Sequence, residues 1–516
     1  MNALPSHGQA PSDVCLLLEG TYPYVAGGVS AWVHDLIKAQ SHLTFDIVAI
    51  VPDHAERKRV YEVPPNVRSL SHVALNALPP GAPGQTPGDE VIRDIARRFA
   101  AFIRSGGLSE LTALAAIVAP LRGVLGQQQL LNSPSAFRAL SAIYEEMMPE
   151  ASFLHFFWSW RALSSAFFAA MLAPLPPSRV YHAISTGYAG LMAARGRIEM
   201  GRPALLTEHG IYTNERRIEV ALAEWLHDPG VSHLGLEKAS RDLKDLWTDA
   251  FTAFSRAIYQ VADQIITLYR GNQDMQIADG APVARLSIIP NGVDYARFSR
   301  LTRPATPRPP TVALIGRVVP IKDIKTYLRA VAMAKSRIPH LRALVMGPDD
   351  EDPDYARECR ELAVHLGLGD TLSFTGRVKL DDYLPHIDLN VLTSVSEAQP
   401  LVLLEVGAAG IASIATDVGS CAEIILGKPD ETPALGRGGA IVPLASPLAV
   451  ADAMCELLMN PARLAAAGQA MRERVLRHYN KPQCDAAYRG LYETHRRAPW
   501  QPILEPVAGM VMRGAG

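Results

Sequence analysis

The sequence predicts an α/β protein of two Rossmann-like, doubly wound parallel-sheet domains facing across a cleft. Three observations carry that expectation. At 516 residues the chain is too long for one hydrophobic core, so at least two separately folding domains are required. Short apolar, β-branched runs alternate with helical patterns along most of its length, which is the signature of βαβ units. A passage with four prolines at residues 300–310 separates two such series and reads as the linker between them.

The first domain is expected over residues 1–300. Residues 13–20 form an apolar first strand, residues 30–40 carry a helical pattern, and residues 45–51 supply the next strand, a βαβ opening. Residues 79–88 are rich in proline and glycine and read as an exposed loop within an Ala/Leu-rich helical insertion at about 75–150. Residues 151–173 are rich in aromatics and alanine, but His155 and Arg161 interrupt them and Pro174 ends them. This predicts a buried helix, with a peripheral membrane contact as the alternative. Strands resume at residues 180–185, 204–207 and 264–268, with a small-residue helix at 189–197, and residues 287–294 close the domain.

The second domain is expected over residues 311–480, with strands at 312–315, 343–346, 372–374, 389–392, 413–415 and 439–442. Residues 481–516 are read as a last helix at 483–497 and a tail with Trp500, returning to the first domain. No period of 20 to 50 residues repeats, which removes solenoids and propellers.

Composition narrows the function. With 50 basic and 52 acidic residues the net charge is −2, so there is no polybasic footprint for nucleic acid or anionic lipid. Cys15, Cys359, Cys421, Cys455 and Cys484 are scattered and lack metal-ligand spacing, so reduced, unmetallated thiols are expected. The first eleven residues lack a basic start and an apolar run, so a cytoplasmic protein without a signal peptide is expected.

The chemistry-bearing residues fall where strands end. Glu397 and Glu405 lie eight positions apart, bracketing the junction between strand 389–392 and a following helix. Pro400 suits the first helical position and Gly410 the stop. Free N–H groups at that helix start, carried by Leu401 and Val402, can hold a diphosphate. Glu397 can accept from sugar hydroxyls, and Glu405 can reach a ribose. Arg317 and Lys322 follow Gly316 at the end of the second domain's first strand, where two cations can stabilise a departing diphosphate. Gly376 keeps the backbone at Arg377 and Val378 open to a base edge. In the first domain Gly27 and Gly28 allow close backbone approach, although they form no Gly-x-Gly-x-x-Gly fingerprint. His209 ends strand 204–207, where it can bond a sugar hydroxyl or a phosphate. Tyr212, Glu215, Arg216 and Arg217 are expected on the loop after it, lining an acceptor groove or simply solvated. No Walker lysine follows a glycine loop, which disfavours kinases and ATPases.

With these residues in place the chain resembles the retaining glycosyltransferases of family 4. The resemblance implies the GT-B fold, no essential metal and a nucleotide-sugar donor. It assigns Glu397 and Glu405 to the family's paired glutamates, Arg317 and Lys322 to its diphosphate cations, Gly27 and Gly28 to its glycine loop, and His209 to its active-site histidine. More narrowly, residues 19–33 and 207–212 resemble the soluble glycosyltransferases of Pel exopolysaccharide biosynthesis. That implies UDP-glucose as donor, a growing carbohydrate acceptor, no nucleic acid, and work beside an inner-membrane synthesis complex. Two departures stand out: Gln399-Pro400 replaces an aromatic-Gly pair, and Ala398 stands where glycine is usual. A donor on the second domain, an acceptor on the first and water-excluding closure would together give transfer with retention. A silent nucleotide-sugar-binding subunit and a GT-B UDP-sugar epimerase are the rival expectations.

Overall fold

The computed structural model describes residues 10–20, 22–84, 87–223, 242–304, 306–501 and 503. Thr21 of the glycine-loop motif and the tail beyond 503 lie outside them. The chain divides into two compact units. Unit 1 comprises residues 1–267, 273–287 and 489–516, and unit 2 comprises 268–272 and 288–488.

Unit 1 is built on a seven-stranded sheet. Its strands are β1 (Ser12–Glu19), β2 (Phe45–Val51), β3 (Val67–Ala74), β4 (Ser178–Ala183), β5 (Ala204–Glu208), β6 (Gln264–Thr267) and β7 (Leu286–Ile288), in spatial order β3-β2-β1-β4-β5-β6-β7. The ladders from β3 to β6 are parallel, with Leu16 opposite Ile47 on one side and His182 on the other. Central strands covered on both faces need apolar residues at successive positions, and Val14, Cys15, Leu16 and Leu17 are fully buried.

β3 is absent from the sequence expectation because its burial is partial and its serines and histidine break the apolar run. The helical insertion is longer than expected. It includes the helices Asp89–Ser105, Leu108–Val118, Pro134–Met147 and Phe153–Leu172, all between β3 and β4. Phe167 stacks on Phe99 at 4.4 Å between ring centroids and lies 5.9 Å from Phe254, so the insertion shares the core of the sheet. Burying each such ring contributes about 1.5–3 kcal/mol. Arg195, 1% exposed, donates to the carbonyl of Ala173 at 3.1 Å and also to that of Ala170, capping the end of helix Phe153–Leu172. Among the described residues no helix is long and apolar enough to cross a membrane.

Unit 2 carries β8 (Thr311–Ile315), β9 (Arg342–Met346), β10 (Leu372–Gly376), β11 (Leu389–Leu392), β12 (Ala412–Thr416) and β13 (Gly439–Val442), in order β10-β9-β8-β11-β12-β13. Every ladder is parallel. The strand order of both sheets reverses beside the first strand, between β1 and β4 and between β8 and β11. Ligands of doubly wound sheets bind beyond the carboxyl ends of the strands at such a point.

Residues 300–310 are not the linker. The chain passes into unit 2 at residue 288, and Val293 and Phe298 are buried in that unit's core. The prolines follow them, and within the passage Arg308 pairs with Asp388 at 2.8 Å, tying the segment to unit 2. A composition shift marked the segment, but buried apolar anchors upstream decide which core it joins. The last helix, Lys481–His495, belongs to unit 1 from Arg489 onward. There the Tyr492 hydroxyl meets His182 Nδ1 at 2.7 Å, and the Arg496 guanidinium donates to Asp13 at 3.2 Å.

Candidate functional site

In unit 2, Gly316 follows β8 and its N–H donates to the Met346 carbonyl at 2.8 Å. A 3-10 turn, Pro320–Lys322, then delivers the Lys322 ammonium to the Glu397 carboxylate, which also accepts from the Ser394 hydroxyl at 2.6 Å. The Thr393 hydroxyl donates to the carbonyls of Lys322 and Asp323 at 3.0 and 2.9 Å, so the ends of β8 and β11 are laced together. The two side chains are 17% and 13% exposed, neither fully buried nor free in solvent. A Cβ at Gly419 would stand 2.2 Å from the Glu397 carbonyl, and this glycine has φ +54, so it makes room for the Glu397-Ala398 backbone.

Arg317 is not placed like Lys322. It points to Glu351 at 2.5 Å, and both side chains are about half exposed. A surface pair of this kind holds its partners by ~1 kcal/mol or less, so Arg317 is readily released to another anion.

Pro400 is the N-cap, with φ −72 and ψ 114, and the helix begins one residue later than expected, spanning Leu401–Ala408. Gly410, at φ +76, ends it. Leu401 is exposed and Val402 half-buried at the first turn. Glu405 sits in the second turn, its carboxyl raised above the ordinary value by burial and drawn back by Arg297. Arg297 clamps Asp381 through Nε at 2.9 Å and through a second N–H. Sequence reasoning missed this pair, since 84 positions separate its members and no local pattern joins them. Gly376 has φ +66, and the residues after it, Arg377 and Val378, are exposed and half-buried.

Gln399 is buried at 6% exposure. Its Oε1 accepts from the Asn291 N–H at 2.6 Å, and its Nε2 donates to the Leu268 carbonyl at 3.4 Å. An aromatic ring cannot make those two bonds, so the departure from the family pattern has a local cause.

In unit 1, Gly27 caps helix Gly28–Ala39, and a Cβ on either glycine would meet nothing within 4 Å. Nothing inside the unit requires glycine there, and both residues are exposed. His209 follows β5, with its ring edge-on to Trp32 at 4.6 Å, and burial pulls its pKa down to about 4. The imidazole is therefore neutral at ordinary pH.

Tyr212, Glu215, Arg216 and Arg217 do not form a loop. They open the helix Tyr212–Leu222. Tyr212 is 6% exposed and its hydroxyl donates to Glu19 at 2.9 Å; Arg216 lies over the Tyr212 ring and Arg217 pairs with Asp279 at 3.0 Å. Hence three of the four have partners inside the unit, and burial raises Glu215 above its ordinary value. Glu19 ends β1 at the reversal point, where it also accepts from the Tyr188 N–H at 2.9 Å, and burial raises its pKa. Glu208, 1% exposed, accepts from Tyr259 at 2.6 Å and Gln276 at 2.8 Å, and burial pushes it up to about 7. Glu19 and Glu208 lie within the segments 19–33 and 207–212 that carry the narrower resemblance, and each is otherwise marked in the sequence only as a strand-end acid.

All five cysteines are free and buried. Among the described residues no three His, Cys, Asp or Glu side chains are grouped to hold a metal ion. The groups at the reversal point of unit 2 offer two cations and a helix start to an anion.

Residues 12–284, just over half of the chain, match the model of a family described as "Domain of unknown function (DUF3492)", and residues 309–460 match that of "Glycosyl transferases group 1". D-inositol 3-phosphate glycosyltransferase 2 of Catenulispora acidiphila is 31% identical over 233 residues, covering 42% of this chain and 50% of that protein. A GDP-mannose-dependent alpha-(1-6)-phosphatidylinositol monomannoside mannosyltransferase of Mycobacterium tuberculosis is 31% identical over 210 residues, 37% of this chain and 51% of that protein. The chain spans about half the length of these curated relatives. Among solved structures, sucrose-phosphate synthase from Thermosynechococcus elongatus has a TM-score of 0.55 at 19% identity, covering 93% of this chain and 98% of that one. HepE of Anabaena, solved in complex with UDP, has a TM-score of 0.54 at 12% identity, covering 93% and 99%. At such identities the likeness is one of fold, and that fold is GT-B. The chain thus belongs to the family described as a domain of unknown function, DUF3492, and carries a glycosyl transferases group 1 region on its GT-B fold.

Proposed function

We propose that the protein is a retaining, metal-independent hexosyltransferase that moves a sugar, glucose by preference, from a UDP-sugar to a growing exopolysaccharide or related acceptor. The observation that carries this reading is the meeting of Lys322, Glu397 and Ser394 at the reversal point of unit 2, one short turn before the Leu401–Ala408 helix. Two of the solved neighbours of this fold, HepE with UDP and HepE with UDP-glucose, support the donor class.

In this reading the diphosphate takes Lys322 and Arg317 from their carboxylates and lies against the N–H groups of Leu401 and Val402. Glu405 bonds the ribose, and the backbone at Arg377 and Val378 meets the base. Glu397, freed from Lys322, accepts from the hexose hydroxyls, and in unit 1 the neutral imidazole of His209 is suited to a sugar hydroxyl. The bond from C1 to the diphosphate oxygen breaks, and the acceptor oxygen attacks on the same face. Its proton passes to the departing phosphate, leaving UDP and a glycoside of unchanged anomeric configuration. Gly27 and Gly28 leave room for backbone contact with the sugar. A cytoplasmic setting beside an inner-membrane Pel-type synthesis complex completes the proposal.

Calorimetric titration in EDTA with UDP, UDP-glucose, UDP-N-acetylglucosamine, UDP-N-acetylgalactosamine and GDP-mannose tests it. Wild type should bind the UDP ligands, and Glu405→Ala should lose about 10- to 100-fold in affinity, as expected for a charge-assisted pair of hydrogen bonds. Equal binding by both proteins, or no binding by either, would sink the donor-site assignment. Binding without UDP release in the presence of acceptors would point instead to a silent subunit.

A further inference from the structure

A polar cavity lies in unit 1, and none of the residues assigned to the donor site lines it. It has a volume of about 450 Å³ and is lined by Tyr24, Asp53, His54, Arg57, Arg59 and His72, with Val51, Ala55 and Glu56 completing the wall. Its place in the fold is informative. Val51 ends β2, residues 53–59 follow that strand, His72 lies near the end of the adjacent β3, and Tyr24 belongs to the loop between β1 and Gly27. The cavity therefore sits on the carboxyl edge of the sheet, on the same loop as the glycines.

The walls are built. Arg57 donates to the carbonyls of Asp53 and Ala55 at 2.9 and 2.8 Å and to the Asp53 carboxylate at 2.5 Å, closing residues 53–57 into a fixed turn. The N–H groups of Val60 and Tyr61 donate to the Pro23 carbonyl at 2.9 and 3.3 Å, fastening this loop to the one that carries Tyr24. The Tyr24 hydroxyl meets His72 Nε2, and both residues line the cavity.

Of the two acids and two arginines that line the cavity, one of each is paired in place. Asp53 is committed to Arg57 and to the Ala55 N–H, and Glu56, like Arg59, is exposed. Arg59 has no carboxylate within bonding distance among the described residues. Burial, and then the charges of Arg59, Arg57 and His54, hold the His72 imidazole below its ordinary value.

We propose that this cavity binds an oxyanion carried by the acceptor, a carboxylate or a phosphate, with Arg59 and His72 as its recognition groups. The proposal rests on the transferase reading above and extends it: the acceptor is a charged saccharide lying along the carboxyl edge from Gly27-Gly28 to the 53–59 loop. A carboxylate or phosphate receives from Arg59 the paired N–H donors that a guanidinium presents.

The test follows the His72 ring protons by NMR while the full chain is titrated at low ionic strength with inorganic phosphate, glucose 1-phosphate, glucuronate and, as a neutral control, glucose. A His72→Gln sample identifies the resonance. Wild type should show a saturable shift with at least one anion and none with glucose. Arg59→Glu should weaken that binding at least about tenfold, and Arg59→Lys should keep most of it. Tighter binding of glucose 1-phosphate assigns the acceptor to glycosyl phosphates, and tighter binding of glucuronate assigns it to uronic-acid chains. No saturable shift with any anion, or equal affinity in Arg59→Glu, would overturn the proposal. UDP affinity measured on the same samples separates the two readings: loss of UDP binding alone strikes the donor assignment and leaves the cavity standing.

Discussion

The carboxyl edges of the two sheets share a topology and differ in electrostatics. At the reversal point of unit 2 the acids and bases pair as ions: Lys322 with Glu397, Arg317 with Glu351, and nearby Arg297 with Asp381. At the ends of β1 and β5 in unit 1 the ionisable groups face mainly neutral donors. Glu19 is held by Tyr212 and the Tyr188 N–H, Glu208 by Tyr259 and Gln276, and His209 packs on Trp32. Arg216 acts on Glu19 as a nearby cation. Burial accordingly raises both glutamates and lowers the histidine, moving all three toward their uncharged forms. An edge of partly exposed ion pairs can exchange an internal carboxylate for a diphosphate at little cost. An edge of neutral hydrogen-bonding groups suits hydroxyls. The contrast holds for the ends of β1 and β5, while the residues after β2, with Asp53, Arg57 and Arg59, are charged.

The largest effect that would test this contrast is on Lys322. Replacing it by alanine should lower turnover about 10²- to 10³-fold, the usual consequence of deleting one group that stabilises developing charge. The folded state should barely notice, because the Lys322–Glu397 pair is partly solvated and Glu397 keeps its Ser394 bond. Steady-state kinetics alongside thermal melting reads both. A parallel fall of activity and stability would make Lys322 a structural residue and erase the distinction between the two edges.

A smaller effect addresses unit 1. Glu208 has a folded-state pKa of about 7 against an ordinary 4.5. The native state therefore holds a proton that the unfolded chain releases between those values, and stability falls as pH rises from about 4.5 to 7 and is level above. The size is about 3 kcal/mol at most. Glu208→Gln should remove that slope, because an amide oxygen accepts from both Tyr259 and Gln276 without charging. Denaturant midpoints at pH 5 and pH 8 should then differ less in the variant than in wild type. Depressed acids such as Glu431 act in the opposite sense at lower pH and cancel in the difference. An unchanged pH slope would show that Glu208 is ionised in the native state and that the end of β5 is charged after all.

Much of the fold was legible because parallel strands buried on both faces leave uninterrupted apolar runs. β11 spans the expected residues, and β8, β9 and β12 extend one or two residues beyond them. β3 was not legible, since an edge strand with half-exposed serines carries no such run. The unit boundary misled for a related reason: prolines mark where backbone pairing stops, while Val293 and Phe298 decide which core the chain enters. In the site, Glu397 and Lys322 announce themselves by their place after strands. Asp381 beside Arg297 and the partners of Glu19 do not, because contacts across tens or hundreds of positions leave no spacing to read.

Gln399 is the exception within the charged edge, and it provides the finest test. It is a neutral, buried side chain two residues from Glu397, bonded to the backbone of Asn291 and Leu268. Those residues lie in the segments 268–272 and 288–488 that enter unit 2 from unit 1 along the chain. Gln399→Ala leaves a buried N–H and a buried carbonyl short of one partner each and should cost about 1–3 kcal/mol in denaturant unfolding. If the side chain serves only packing, Gln399→Met should restore stability. If it anchors the Glu397 backbone through its hydrogen bonds, Met should remain as unstable as Ala, while Gln399→Glu, which keeps the acceptor for the Asn291 N–H but loses the donor to Leu268, should fall between. Recovery in Met would place the whole stability of this edge in its ion pairs and apolar contacts. Persistence of the defect shows that even the charged edge depends on one neutral, fully oriented amide to hold its acid in place.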